Sequence, residues 1–246
     1  MWHKVAPLLA NAFTVVATDL RGYGDSSKPP DGENHAGYSK RAMAQDNVEV
    51  MRALGFDRFA VAGHDRGARV AWRIAVEHPD RVTRLAVIDI VPKPYSTVTR
   101  AFATAYFHWF FLIQPAPLPE TLIGSNAEFW LRSRFLAGSA FTPAALAEYL
   151  RCFKDPAAIH ATCEDYRAGA SIDLAHSDED KGRRIACPTL VLWGERGTVG
   201  RLYDVMQVWR DYASDVRGMP LPGGHFLPEE LPDATLDALV SHFGVS

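Results

Sequence analysis

The residues best suited to chemistry lie in one short stretch, Phe59-Ala60-Val61-Ala62-Gly63-His64-Asp65-Arg66-Gly67-Ala68-Arg69. An apolar run ends in Gly-His-Asp-Arg-Gly, and a helix-forming segment, 70–77, follows at once. The pattern predicts a strand, a sharp turn and a helix, with Asp65 at the apex. A serine at such an apex would attack carbonyl carbon. A carboxylate is a weak base that can displace a leaving group from sp³ carbon, becoming an ester itself. The competing reading is that Asp65 caps the following helix, since Asp is a favoured N-cap residue. Gly63 and Gly67 favour the nucleophile, because a tight turn needs close backbone approach.

An aspartyl ester must be hydrolysed, and that step needs a base. His225, in Pro222-Gly223-Gly224-His225-Phe226, suits the role. A third group must hold the imidazole tautomer. Asp89, near the end of the apolar run 85–91 (LAVIDIV), is favoured; Glu195, after 189–193 (TLVLW), is its rival. Arg66 and Arg69 flank the turn. A guanidinium offers a planar fork that pairs with carboxylate in bidentate fashion, so these two suit a small anionic substrate. The Arg66 backbone N–H is also placed to serve an oxyanion hole. Pairing with surface acids is the alternative, stronger for Arg69 than for Arg66.

Several elements must position these groups. Residues 14–20 (TVVATDL) form a β-branched run that predicts a strand ending at the turn 21–26. Residues 39–54 have helical apolar spacing, with Ala42, Val50 and Leu54 among the inward candidates. Strands are expected at 59–62, 85–91, 189–193 and 215–221, and a last helix over 234–243. Strands alternating with helices predict an α/β fold with a parallel sheet and crossover helices. The rhythm breaks between 94 and 181, which is aromatic-rich, punctuated by proline and helical in period. That segment is expected to be an inserted helical cap, with 1–93 and 182–246 forming the core. Caps of this kind exclude water and shape a pocket.

Composition narrows the rest. With 246 residues, 48% of them apolar, the chain suits one domain, or one domain with a lid. The formal charge of −3 and the lack of a basic run argue against nucleic-acid and membrane partners. Cys152, Cys163 and Cys187 have no metal-like spacing and fit a reduced, cytoplasmic protein. Neither a metal nor any other cofactor is expected. The apolar stretch 107–113 is too short for a bilayer, and the start Met1-Trp2-His3-Lys4 lacks the pattern of a signal peptide.

The segments ATDLRGYGDSSKP, AGHDRGARVAWR, LAVIDIVP, YFHWFFLIQPAPLPE, CEDYRAGASID and GGHFLPEE run in order through the chain. Together they closely resemble the fluoroacetate (haloacetate) dehalogenases of the α/β-hydrolase superfamily. The resemblance implies an α/β-hydrolase fold with a mostly parallel sheet and an inserted helical cap. It implies Asp65 as nucleophile, His225 as base and Asp89 as the acid beside it. Arg66 and Arg69 would bind the substrate carboxylate. His108, Trp109 and Tyr166 would hold the departing halide; read without the resemblance, these three are packing residues of a cap helix. The implied substrate is a small haloacid, hydrolysed to glycolate and halide, and a homodimer is expected.

Measured against that family the N-terminus is short. Three strands and a His-Gly-x-Pro loop, which carries the second oxyanion-hole N–H, would precede the segment that starts here. The expectation is therefore a fragment or truncated reading frame, missing a strand between 14–20 and the elbow strand. Two other functions use similar residues. An epoxide hydrolase would use the same Asp and His with Tyr166 and Tyr106 as acids. A non-catalytic relative would bind small acids only.

Overall fold

Four apolar runs pair into one parallel sheet in the order β1 (Phe59–His64), β2 (Val82–Ile88), β3 (Thr189–Gly194) and β4 (Val216–Leu221). The structure is a computed structural model that describes residues 1–92, 98–135 and 140–244. Two compact units divide the chain, one of residues 1–17, 44–97 and 180–246, the other of 18–43 and 98–179. Residues 18–43 thus group with the helical insert, and the expected cap boundary at 93 and 94 lies outside the described residues.

The sheet belongs to the first unit. Leu85, Ala86, Val87 and Ile88 of β2 are all fully buried. A strand covered on both faces reads as a continuous apolar run, which is why LAVIDIV lacks alternation. Ala86, Ile88, Leu190 and Leu192 pack with Leu227, Ala238 and Leu239 in one core cluster. Each large apolar side chain so buried contributes roughly 1.5–3 kcal/mol. The helix Arg66–Glu77 packs on β1 and β2, and the helix Val205–Tyr212 on β4.

Two expectations are corrected. Residues 14–20 carry no sheet pairing among the described residues, and most of them are exposed, Val15 included. A β-branched run reports propensity, whereas a strand needs a neighbour offering its N–H and C=O groups. The helix over 39–54 forms as Lys40–Ala53, but Val50 and Leu54 are exposed while Met43, Ala44 and Val48 are buried. Its apolar residues allow two phases, and packing selected the one through Ala44 and Val48.

The second unit is helical. Its helices include Phe107–Leu112, Ala127–Arg134 and Pro156–Gly169. Pro156–Gly169 buries Glu164, Asp165 and Arg167, which is costly unless each charge is paired. Lys40 pairs with Asp165 and with Asp173, and Tyr23 Oη donates to Asp165 at 2.6 Å. Arg167 donates to Glu164 and Glu120 at 2.8 and 2.7 Å. The charged letters of CEDYRAGASID are therefore largely occupied in holding residues 18–43 to the helices of this unit.

His242, on the helix Pro232–Phe243, shows how the sheet unit responds to pH. Its ring is buried, its Nε2–H donates to the Leu85 carbonyl at 2.9 Å, and Arg217 donates to its Nδ1 at 3.3 Å. Burial pushes its pKa down to about 4, and the hydrogen bond to Leu85 opposes this only in part. Between that value and the ordinary histidine value of about 6.5, the unfolded chain binds a proton that the folded chain refuses. Stability therefore falls as pH drops through this window, by about 2–3 kcal/mol from this group. Urea midpoints at pH 7 and pH 4.5 should show the loss. His242→Gln, which keeps a donor for Leu85, should show a shallower one.

Candidate active site

The parallel register brings the candidate residues together at the carboxyl ends of the strands. His64 is paired with Ile88, so the next residues, Asp65 and Asp89, leave β1 and β2 side by side. Backbone bonds continue the ladder by one step: Asp65 N–H donates to Ile88 O at 3.2 Å and Asp89 N–H to Leu192 O at 2.8 Å. Gly194 is paired with Leu221 across β3 and β4, and the loop after Leu221 carries His225. Open α/β sheets place their ligands at this end.

Asp65 has φ 50° and ψ −118°, and Asp89 has φ 55°. Side-chain-bearing residues adopt this region at a cost of about 1–3 kcal/mol each, and such strain concentrates at functional sites. Asp65 stands at the N-cap position of the helix Arg66–Glu77, yet its side chain accepts no capping hydrogen bond. Its Oδ2 lies 3.5 Å from His225 Nε2 instead. The helix-cap reading of this residue is thereby set aside.

Space at the turn separates the two glycines. A Cβ on Gly63 would lie 2.3 Å from the Gly67 carbonyl oxygen and 2.6 Å from Ala68 Cα. A Cβ on Gly67 would meet nothing within 4 Å. Only Gly63 is thus required by close approach; Gly67, expected to share that role, is not. Gly63→Ala should destabilise by about 1–3 kcal/mol, as overpacking does. Gly67→Ala should be neutral or slightly stabilising, because alanine is the better helix former. Chemical denaturation of the two variants checks the opposite signs.

Asp89, and not Glu195, faces His225. Its Oδ2 accepts from His225 Nδ1 at 2.6 Å and its Oδ1 accepts from the Gly194 N–H at 3.0 Å. Glu195 is exposed. A Cβ on Gly194 would sit 1.8 Å from the Gly224 carbonyl oxygen, so glycine there lets the His225 loop settle onto β3.

Two residues that sequence reading passed over hold His225 as firmly. Glu230 accepts from the N–H of Gly224 at 2.6 Å and of Phe226 at 2.9 Å, gripping the loop on both sides of His225. His64 Nε2–H donates to the His225 carbonyl at 2.7 Å. His64 was visible as the neighbour of Asp65. Glu230 closes the segment GGHFLPEE, but that segment gives it no role, because its partners are backbone groups.

Charge couples the site. Burial pushes Asp65 upward, but the hydrogen bond and charge of His225 outweigh it and hold its carboxyl far below the usual range. Burial likewise pushes His225 downward, and its bonds to Asp65 and Asp89 reverse this, raising it to about 10. His64 is pushed down to about 4 by burial and by the charge on His225. These directions favour a carboxylate facing an imidazolium, flanked by a neutral histidine. Arg66 adds positive charge that also favours ionised Asp65. Arg69 is half-buried and donates to the Val91 carbonyl at 3.4 Å.

The residues expected to hold a halide gather within the helical unit. The His108 and Tyr166 rings lie 6.0 Å apart, and Trp109 and Tyr166 6.1 Å apart. Trp109 and Tyr166 are buried, and His108 is half-buried. Another cluster in this unit has metal-ligating chemistry: donor atoms of Asp31, His160 and Glu164 lie within 4.8 Å of one another. Both His160 nitrogens are already bonded to carboxylates, Asp31 at 2.9 Å and Glu120 at 3.1 Å. Glu164 holds His35 and Arg167. A guanidinium in contact repels a cation, so the cluster is a neutralised ion network and is assigned no metal.

The model of the family described as alpha/beta hydrolase fold matches residues 1–232. A fluoroacetate dehalogenase from Burkholderia sp is 48% identical over 242 residues, covering 96% of this chain and 80% of that protein. A soluble epoxide hydrolase from Corynebacterium sp. (strain C12) is 33% identical over 253 residues, covering 98% and 85%. A solved structure from Nostoc sp PCC 7120, described as an alpha/beta hydrolase, superposes with a TM-score of 0.98 at 60% identity, covering 100% of this chain and 86% of that one. No helix among the described residues is long and apolar enough to cross a membrane.

Proposed function

We propose, from the premise that this chain belongs to the alpha/beta hydrolase family, that it hydrolyses the carbon–halogen bond of haloacetates, fluoroacetate and chloroacetate among them. The observation that carries the reading is the Asp65–His225–Asp89 arrangement, a carboxylate nucleophile opposite a histidine that is itself held by a second carboxylate. The arginines beside the nucleophile favour an anionic substrate over a neutral one, and the 48% identical relative supports the same class.

The reaction runs in two steps. Asp65 Oδ attacks the Cα of the haloacetate in line, and the carbon–halogen bond breaks with its electron pair leaving on the halide. Arg66 and Arg69 hold the substrate carboxylate. His108, Trp109 and Tyr166 donate to the halide, stabilising charge that develops only in the transition state. Forming the ester erases the negative charge on Asp65, and with it much of the pull that keeps His225 protonated. His225 then loses its proton to solvent and can take one from water, whose oxygen attacks the ester carbonyl carbon. The tetrahedral intermediate collapses and releases glycolate, protonated by His225; the second water proton, left on the Asp65 carboxyl, passes to His225 and restores the carboxylate–imidazolium pair. Asp89 holds Nδ1–H throughout, so Nε2 is the nitrogen that exchanges protons.

Fluoride release from fluoroacetate, read with an ion-selective electrode alongside glycolate, tests the proposal. Equal amounts of both support it. Inertness toward fluoroacetate and chloroacetate, with an epoxide opened to a diol, would favour the epoxide hydrolase reading. That reading draws on Tyr106 and Tyr166, both in ring contact with Trp109, and on the 33% identical relative. Binding of haloacetate without turnover would move the chain to the non-catalytic class. A homodimer and a cytoplasmic location are part of the proposal, tested by sedimentation and by fractionation.

A further inference from the structure

Arg134 ends the helix Ala127–Arg134 and lies beside His108. Its NH1 is 3.0 Å from His108 Nδ1. A guanidinium has five N–H donors and no acceptor, and it stays protonated in proteins. The bond therefore runs one way, with Arg134 donating and Nδ1 accepting. A neutral imidazole carries one proton, so a ring whose Nδ1 accepts must carry that proton on Nε2.

The guanidinium is itself well held. It lies over the Phe107 ring at 4.8 Å and near the Trp130 ring at 5.9 Å, within the range of cation–π attraction. Its NH2 donates to the Ser133 carbonyl at 3.3 Å. Stacking fixes the plane of the fork and the backbone bond fixes its rotation, so NH1 is aimed at His108. Its Nε is buried with no hydrogen-bond partner, an arrangement that leaves the NH1 and NH2 ends to do the bonding.

We propose that Arg134 is a positioning residue of the halide site: it locks His108 in the tautomer whose Nε2–H can donate to a departing halide. The tautomer follows from the geometry alone, while its use for a halide rests on the haloacetate reading. The point matters because the opposite tautomer would present a lone pair to an anion, turning a stabilising contact into a repulsive one. Arg134 acts through His108; it is not assigned contact with the substrate.

The test uses the intact ¹⁵N-labelled chain and long-range proton–nitrogen NMR of the His108 ring, assigned by comparison with His108→Gln. The wild type should show a lone pair on Nδ1 and the proton on Nε2. Arg134→Met should shift the ring to a mixture of tautomers, and Arg134→Lys, which keeps a donor, should restore the Nε2–H form. A wild-type ring protonated on Nδ1, or a tautomer unchanged in Arg134→Met, overturns the proposal. Should Arg134→Met fail to fold, Arg134→Gln takes its place, since an amide can donate or accept: a mixture of tautomers is expected, and an unchanged Nε2–H ring overturns the proposal.

Kinetics then tests the use. Fluoride release should fall about 10- to 100-fold in Arg134→Met, the range for losing an outer partner that orients a histidine. The fall should appear in kcat with little change in KM, and should be smaller for chloroacetate. A wild type with the Nε2–H tautomer but no fluoride release would sink the haloacetate reading and leave the tautomer assignment standing. An unchanged kcat in a variant whose tautomer has shifted would overturn the positioning role.

Discussion

Asp65→Asn is expected to abolish turnover, by on the order of 10⁴-fold or more, as loss of a covalent nucleophile does. An amide oxygen is a poor nucleophile, and no other described carboxylate lies within contact of His225 Nε2. The substitution is close to isosteric, so the strained turn at φ 50° should survive it, since asparagine tolerates that region as readily as aspartate. Folding and acid binding should therefore persist while ester formation stops. The variant carries a second expectation. The pKa of His225 is raised to about 10 by bonds to Asp65 and Asp89 together, and asparagine removes one of those charges. Its titration, followed by NMR, should move to lower pH, in the direction proposed for the ester intermediate. A His225 titration that stays near pH 10 in this variant would mean that Asp89 alone sets the base. Ester formation would then not release the His225 proton.

Asp89→Asn should stall the second step and spare the first. In the native site the carboxylate accepts from His225 Nδ1 and from the Gly194 N–H. Asparagine can keep one of these contacts through its oxygen. Turned the other way, its NH₂ donates to Nδ1 and forces the ring proton onto Nε2, the position that must accept a proton from water. Loss of the correct tautomer in a triad of this logic costs on the order of 10⁴-fold. Alkylation of Asp65 needs no base, so the variant should release one equivalent of fluoride per chain and then stop. The trapped product, a carboxymethyl ester on Asp65, should be visible by peptide mass spectrometry. Steady turnover without a burst would show that Asp89 does not govern ester hydrolysis. A variant that releases no fluoride at all would place Asp89 in the first step.

Much of this was legible in the chain. The alternation of apolar runs and helical segments was enough for a parallel α/β sheet, because strands buried on both faces leave an uninterrupted apolar signal. Gly-His-Asp-Arg-Gly after such a run was enough for the turn and its carboxylate, because the backbone geometry there demands Gly63. His225 was legible from its glycine-rich loop after the last strand. These are local signals, written within a few residues of the group they position.

What the tertiary structure decided is non-local. The choice of Asp89 over Glu195 depended on which carboxylate the β1–β2 register sets beside Asp65, and register is a property of paired strands. The failure of residues 14–20 to pair had the same origin, since a strand is made by its neighbour. Glu230 and His64 act on the backbone of the His225 loop, so the motifs that contain them give no sign of what they hold. The buried charges of the helical unit read in sequence as features of a motif. Only their partners, Lys40, Tyr23, Arg167 and Glu120, identify them as an ion network that must be complete to be buried at all. Sequence specifies which groups are available and roughly which element carries them. The distances that set one carboxylate against His225 Nε2, another against its Nδ1 and a third against a buried lysine are fixed by packing between segments far apart in the chain.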